Sequence, residues 1–126
     1  MEKAIIIDDD PLFSKALAHK LQYTYNFEVE SYKSAEKSLN GIQGQPDIFF
    51  LDYHLSQNNE VMDGLMALGI LKKNYPNSTI IMMSSEENKH WLEQGKKYGA
   101  NDMLTKTPEK LIDLEQGVTD YRAKKK

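Results

Sequence analysis

The side chains able to do chemistry in this 126-residue chain stand where short strand-like segments stop. Residues 4–7 run into Asp8-Asp9-Asp10-Pro11, residues 48–51 into Asp52, residues 79–83 into Ser84-Ser85, and residues 102–105 into Lys106. If these segments are neighbours in one parallel sheet, their ends share an edge. Asp8, Asp9 and Asp52, a hydroxyl and an ammonium then meet in one crevice.

Electrostatics restricts what such a crevice can be. Two like charges about 4 Å apart repel by ~4 kcal/mol at an effective dielectric near 20. The carboxylates therefore need a cation, or one of them stays protonated. Lys106 supplies one positive charge and a divalent metal would supply the rest. An all-oxygen ligand set completed by water suits magnesium, or manganese, better than zinc. A carboxylate in that setting can attack an activated phosphorus and become an aspartyl-phosphate. The metal and Lys106 would neutralise charge on the equatorial oxygens, and Ser84 is placed to hydrogen-bond one of them.

Each residue alone has a plainer reading. Asp10 before Pro11 is an N-cap followed by the first helical position. A lone Asp at a strand end is commonly a turn residue, Ser84 with Glu87 makes a capping box, and Lys106 by itself is a solvated lysine. Capping, however, leaves Asp8 and Asp9 without a task at the end of a buried strand. The conjunction at four strand ends favours a reactive site.

The elements that must position these groups alternate along the chain. Leu12, Phe13, Ala16, Leu17 and Leu21 recur at helical spacing after the first strand. A second strand fits residues 27–31, and helices fit residues 35–41, 63–74 and 87–98. Leu111, Leu114, Val118 and Tyr121 share one face of a last helix opened by Thr107-Pro108. Strands that are apolar throughout, alternating with helices, indicate a parallel sheet covered on both faces. Right-handed crossovers make this a doubly wound α/β sandwich, whose ligands sit beyond the carboxyl ends of the strands.

Composition excludes other classes. With 40% apolar residues the chain can bury its own core, as one domain over residues 1–126. A net charge of −3 offers no basic footprint for direct nucleic-acid binding, and Lys124-Lys125-Lys126 reads as a solvated helix end. The absence of cysteine excludes thiol catalysis and Cys-rich zinc sites. No apolar run approaches the ~20 residues of a membrane span, and the first strand begins too early for a signal peptide. A cytoplasmic protein with no membrane contact is the expectation.

Taken together, Ile5-Ile6-Ile7-Asp8-Asp9-Asp10-Pro11, Pro46-Asp47-Ile48-Phe49-Phe50-Leu51-Asp52, Met62-Asp63-Gly64, Met82-Met83-Ser84-Ser85 and Gly99-Ala100 with Lys106 carry a family likeness. On these motifs nearly the whole chain resembles the receiver domain of two-component response regulators. The resemblance implies a flavodoxin-like five-stranded sheet of order 2-1-3-4-5 with five helices. It implies that Asp52 accepts a phosphoryl group from a sensor histidine kinase or a histidine phosphotransfer protein. Asp9 and Asp52 would bind magnesium directly, with the His54 carbonyl as third ligand and Asp8 acting through water. Ser84 would be the switch hydroxyl and Lys106 the phosphoryl-binding lysine. Such a domain catalyses only its own phosphorylation and dephosphorylation. Output would pass through the fourth helix, fifth strand and fifth helix to a protein effector or fused output domain, with a phosphorylation-linked homodimer as a further outcome. Trp91 belongs to that face or partly to the core.

Four departures from the family pattern stand out. Residues 54–61 lengthen the loop before Asp63-Gly64. His54 brings either an imidazole that orients water or contacts a partner, or an exposed loop histidine. Met103 replaces the usual aromatic of the fifth strand. Thr107 follows Lys106 where the family has proline, and a cis bond there would cost ~3–4 kcal/mol, so a trans bond or a locally shifted lysine is expected. These departures keep open a pseudo-receiver that binds partners without phosphorylation. A phosphatase-like hydrolase fits less well, because His54 stands where its general acid would be. Nucleotide binding lacks a Gly-rich loop after the first strand.

Overall fold

The computed structural model describes residues 1–55, 62–85, 89–107 and 113–125. Most of the lengthened loop (residues 56–61), the Glu87 partner of a Ser84 capping box, and the contributions of Pro108 and Leu111 to the last helix lie outside the described residues. The elements run β1 (Lys3–Ile7), α1 (Pro11–Tyr23), β2 (Glu28–Tyr32), α2 (Ala35–Gly41) and β3 (Ile48–Asp52). They continue α3 (Gly64–Asn74), β4 (Thr79–Ser84), α4 (His90–Lys97), β5 (Asp102–Thr105) and α5 (Leu114–Lys124).

Side-chain caps fix where three helices begin. The Asp10 carboxylate accepts from the backbone N–H groups of Leu12 and Phe13, with Pro11 in the first turn, as the sequence indicates. Ser34 accepts from the Lys37 N–H and Asp63 from the Met66 N–H. Each cap satisfies a donor that the helix itself leaves unpaired.

The strands form one parallel sheet of order β2-β1-β3-β4-β5. Alternation along each strand sends side chains to two cores. Ala4, Ile6, Ile48, Phe50, Ile81 and Met83 pack beneath α1 and α5, where Leu17, Leu21, Val118 and Tyr121 cover them. Ile5, Ile7, Phe49, Leu51, Ile80 and Met82 pack beneath α2, α3 and α4. Burial on both faces explains why the central strands are apolar at every position.

β3 and β4 each run one residue past the expected ends, so that Asp52 and Ser84 are themselves strand residues. β2 spans Glu28–Tyr32, one residue later than expected. Trp91 is 2% exposed and belongs to the core beneath α4. The Lys106–Thr107 bond is trans, as expected. Among the described residues, no helix is long and apolar enough to cross a membrane.

Candidate active site

Register brings the strand-end residues together. Ile7 pairs with Leu51, so Asp8 and Asp52 are the next residues on adjacent strands. Asp52 pairs with Met83, and Ser84 with Thr105, which places Lys106 one step beyond on β5. Alternation puts Asp8, Asp52 and Lys106 in the rows of Ile6, Phe50 and Leu104, on the α1/α5 side. The backbone reinforces this edge: the Asp8 N–H donates to the Tyr32 carbonyl at 3.0 Å and the Lys106 N–H to the Ser84 carbonyl at 2.9 Å.

Asp8 and Asp52 are 1% and 4% exposed. The Lys106 ammonium lies 2.8 Å from Asp8 Oδ2 and 3.8 Å from Asp52 Oδ2. Asp8 Oδ1 accepts the Asp10 N–H at 2.9 Å, and Asp52 Oδ1 accepts the His54 N–H at 3.2 Å. One carboxylate oxygen from each of Asp8, Asp9 and Asp52 lies within 4.8 Å of the others. These are hard oxygen donors, and a small divalent cation fits them. A cavity of roughly 160 Å³ opens here, lined by Asp9, Asp10, Asp52, His54, Ser85 and Lys106.

Crowding raises the carboxyl pKa values of Asp52 and Asp9. Burial, then the charge of Asp8, pushes Asp52 up to about 7, although Lys106 and the His54 N–H pull the other way. Burial and the charge of Asp8 likewise push Asp9 above its ordinary value. A group that titrates near neutrality because its charge is poorly solvated is primed to gain from an added cation.

The site tolerates little change in its frame. A Cβ on Gly64 would stand 2.6 Å from the Tyr53 carbonyl oxygen and 2.7 Å from that of Asp52. Glycine at this point lets the start of α3 lie directly on the backbone that carries Asp52.

The sequence candidates do not all reach the cavity. Asp9, Asp52, His54 and Lys106 line it, and Asp8 lies beside it in contact with Lys106. Ser84 follows the row of Ile80 and Met82 and is fully buried, while Ser85 lines the cavity. His54 is half-buried rather than an exposed loop residue, and its ring meets Tyr53 edge-on at 4.9 Å.

Three contacts escaped sequence reasoning. The Lys106 ammonium lies 4.3 Å from the centroid of the Phe13 ring. The Tyr53 ring, next to Asp52, lies 6.1 Å from that of Trp91 on α4. The Glu36 carboxylate accepts the Met62 N–H at 3.0 Å, tying α2 to the segment before α3. Phe13 was visible only as one more apolar position on α1.

Comparison with known proteins agrees with this fold. A family model described as the response regulator receiver domain matches residues 4–117. The chain is 32% identical over 127 aligned residues to the DNA-binding transcriptional regulator NtrC of Proteus hauseri, covering 95% of the chain and 25% of that regulator. It spans about a quarter of the length of the curated relatives it matches. The receiver domain of NtrX from Brucella abortus superposes with a TM-score of 0.79 at 23% identity, covering 94% of this chain and 97% of that one. TrrA from Thermotoga maritima, in complex with Mg2+-BeF, gives a TM-score of 0.79 at 20% identity, with 96% and 99% covered. At these identities the two structures speak for the fold.

Proposed function

The chain belongs to the response regulator receiver domain family, and from that premise we propose that Asp52 is its phospho-acceptor. The observation that carries the reading is the Lys106 ammonium, 2.8 Å from Asp8 and 3.8 Å from Asp52, at the head of the carboxylate cluster. A structural ion pair would need one acid for one base. Three acids around one base leave excess negative charge, which a retained proton on Asp52 or a further cation must balance, and only the cation leaves Asp52 ionised as a nucleophile.

Asp9, Asp52 and the His54 carbonyl are the residues that would hold Mg2+, or Mn2+, with Asp8 reaching it through water. A bound divalent cation supplies charge neutralisation for the transferring phosphoryl group. The chain's own residues do the rest. The His54 N–H holds Asp52 Oδ1, which fixes the plane of the nucleophilic carboxylate. A carboxylate oxygen of Asp52 forms the new O–P bond as the N–P bond of a phosphohistidine donor breaks. The electron pair stays on the imidazole nitrogen, which is then protonated. Lys106, anchored on Asp8, stands where it can meet an equatorial phosphoryl oxygen.

The donor is a sensor histidine kinase or a histidine phosphotransfer protein. The state of the pocket passes to a protein effector or a fused output domain, of which the transcriptional regulator NtrC is one related example. Full burial of Ser84 favours a second reading, the phosphorylation-independent pseudo-receiver. One experiment separates them: incubation with Mg2+ and phosphoramidate, followed by intact mass. Wild type should gain one phosphoryl group and Asp52→Asn none. An unmodified wild type, under conditions that label a known receiver, would refute the phospho-acceptor.

A further inference from the structure

We propose that Phe13 is a positioning residue, holding the Lys106 ammonium over the crevice through the face of its ring. The ammonium lies 4.3 Å from the ring centroid, and the Lys106 side chain is only 12% exposed. Lysine ends in a point charge on a flexible four-carbon stem. Here the stem starts from a fixed backbone, since the Lys106 N–H donates to the Ser84 carbonyl. Phe13 is also fixed: its N–H donates to Asp10 at 3.3 Å, and its side chain packs against the α1/α5 core. The ammonium therefore has Asp8 on one side and an aromatic face on another. The negative face of the ring attracts the cation and takes the place of water. Leucine or methionine would fill the same apolar position on α1 without that attraction, so packing and positioning can be told apart.

This inference rests on Lys106 serving the phosphoryl group. The test compares wild type with F13L, F13M, F13Y and F13W, all with Mg2+ and phosphoramidate. The two aliphatic variants should accept phosphate roughly three- to tenfold more slowly than wild type, while F13Y and F13W stay near it. The Lys106 ε-methylene protons should lie upfield in wild type, F13Y and F13W, and return to their ordinary position in F13L and F13M. Folding is checked by cooperative urea unfolding, with F13M standing in if F13L fails. Wild-type rates in the folded aliphatic variants would overturn the proposal, as would equal slowing in F13Y and F13W. If wild type takes no phosphate, the Asp52 reading fails on its own. An unshifted Lys106 methylene in the unmodified protein would then overturn the contact as well.

Discussion

Replacing Asp52 with asparagine should stabilise the metal-free protein at neutral and alkaline pH while leaving it unchanged in acid. Burial and the neighbouring Asp8 raise the Asp52 carboxyl from 3.8 to about 7 in the folded chain. Between those values the folded state keeps a proton that the unfolded state has released, so stability falls as pH rises through the window. The difference of about 3 pH units, at about 1.36 kcal/mol each, sets an upper limit near 4 kcal/mol. That shift already includes the attraction to Lys106 and the bond from the His54 N–H, both of which pull it down. Relaxation and water entry around the ionised carboxylate should reduce the realised gain to about 2 kcal/mol above pH 7. That corresponds to roughly 8 °C in Tm for a chain of this size. The assay is urea unfolding with a chelator present, followed by Trp91 emission, from about pH 4 to about pH 8. Saturating Mg2+ should stabilise wild type and narrow the gap. A gap that is absent at high pH, or constant with pH, would refute the electrostatic reasoning.

Lys106→Met should cost about 3 kcal/mol near neutral pH, because it leaves Asp8 buried without its counter-charge. It should also push Asp52 still higher, which a carboxyl NMR titration would read. Gly64→Ala should cost about 2–3 kcal/mol in urea unfolding and slow phosphate acceptance, since the new Cβ meets backbone rather than a flexible side chain. Loading with beryllofluoride and Mg2+ should shift Trp91 emission and perturb amides of α4 through the Tyr53–Trp91 contact, and Tyr53→Leu should abolish the Trp91 response. Amide changes confined to the pocket would count against a two-state output face.

The fold was legible because its determinants are local. Apolar strands, the Asp10-Pro11 cap and the helical spacing of α1 each announce themselves within a few residues. The meeting of Asp8, Asp52 and Lys106 was legible too, since a parallel sheet aligns strand ends once their order is known. What stayed hidden depends on packing. Ser84 becomes fully buried because β4 runs one residue longer and alternation places it in the row of Met82. Periodicity places Phe13 on the core face of α1 but says nothing of a lysine from the opposite end of the chain. Trp91 could equally be surface or core on a short amphipathic helix until Tyr53 and the sheet were seen to cover it. Met103 shows the same limit: its side chain occupies the space where a Cβ on Gly95 would go, so β5 packs closely on α4 without an aromatic.

The most direct test of the central claim is to locate the phosphoryl group. Protein treated with Mg2+ and phosphoramidate would be reduced with borohydride, which converts an aspartyl-phosphate to homoserine, and then mapped by peptide mass spectrometry. Conversion at Asp52 alone, lost in Asp52→Asn, is the predicted result. Conversion at Asp8 or Asp9 with Asp52 intact, or no conversion at any aspartate, would contradict it.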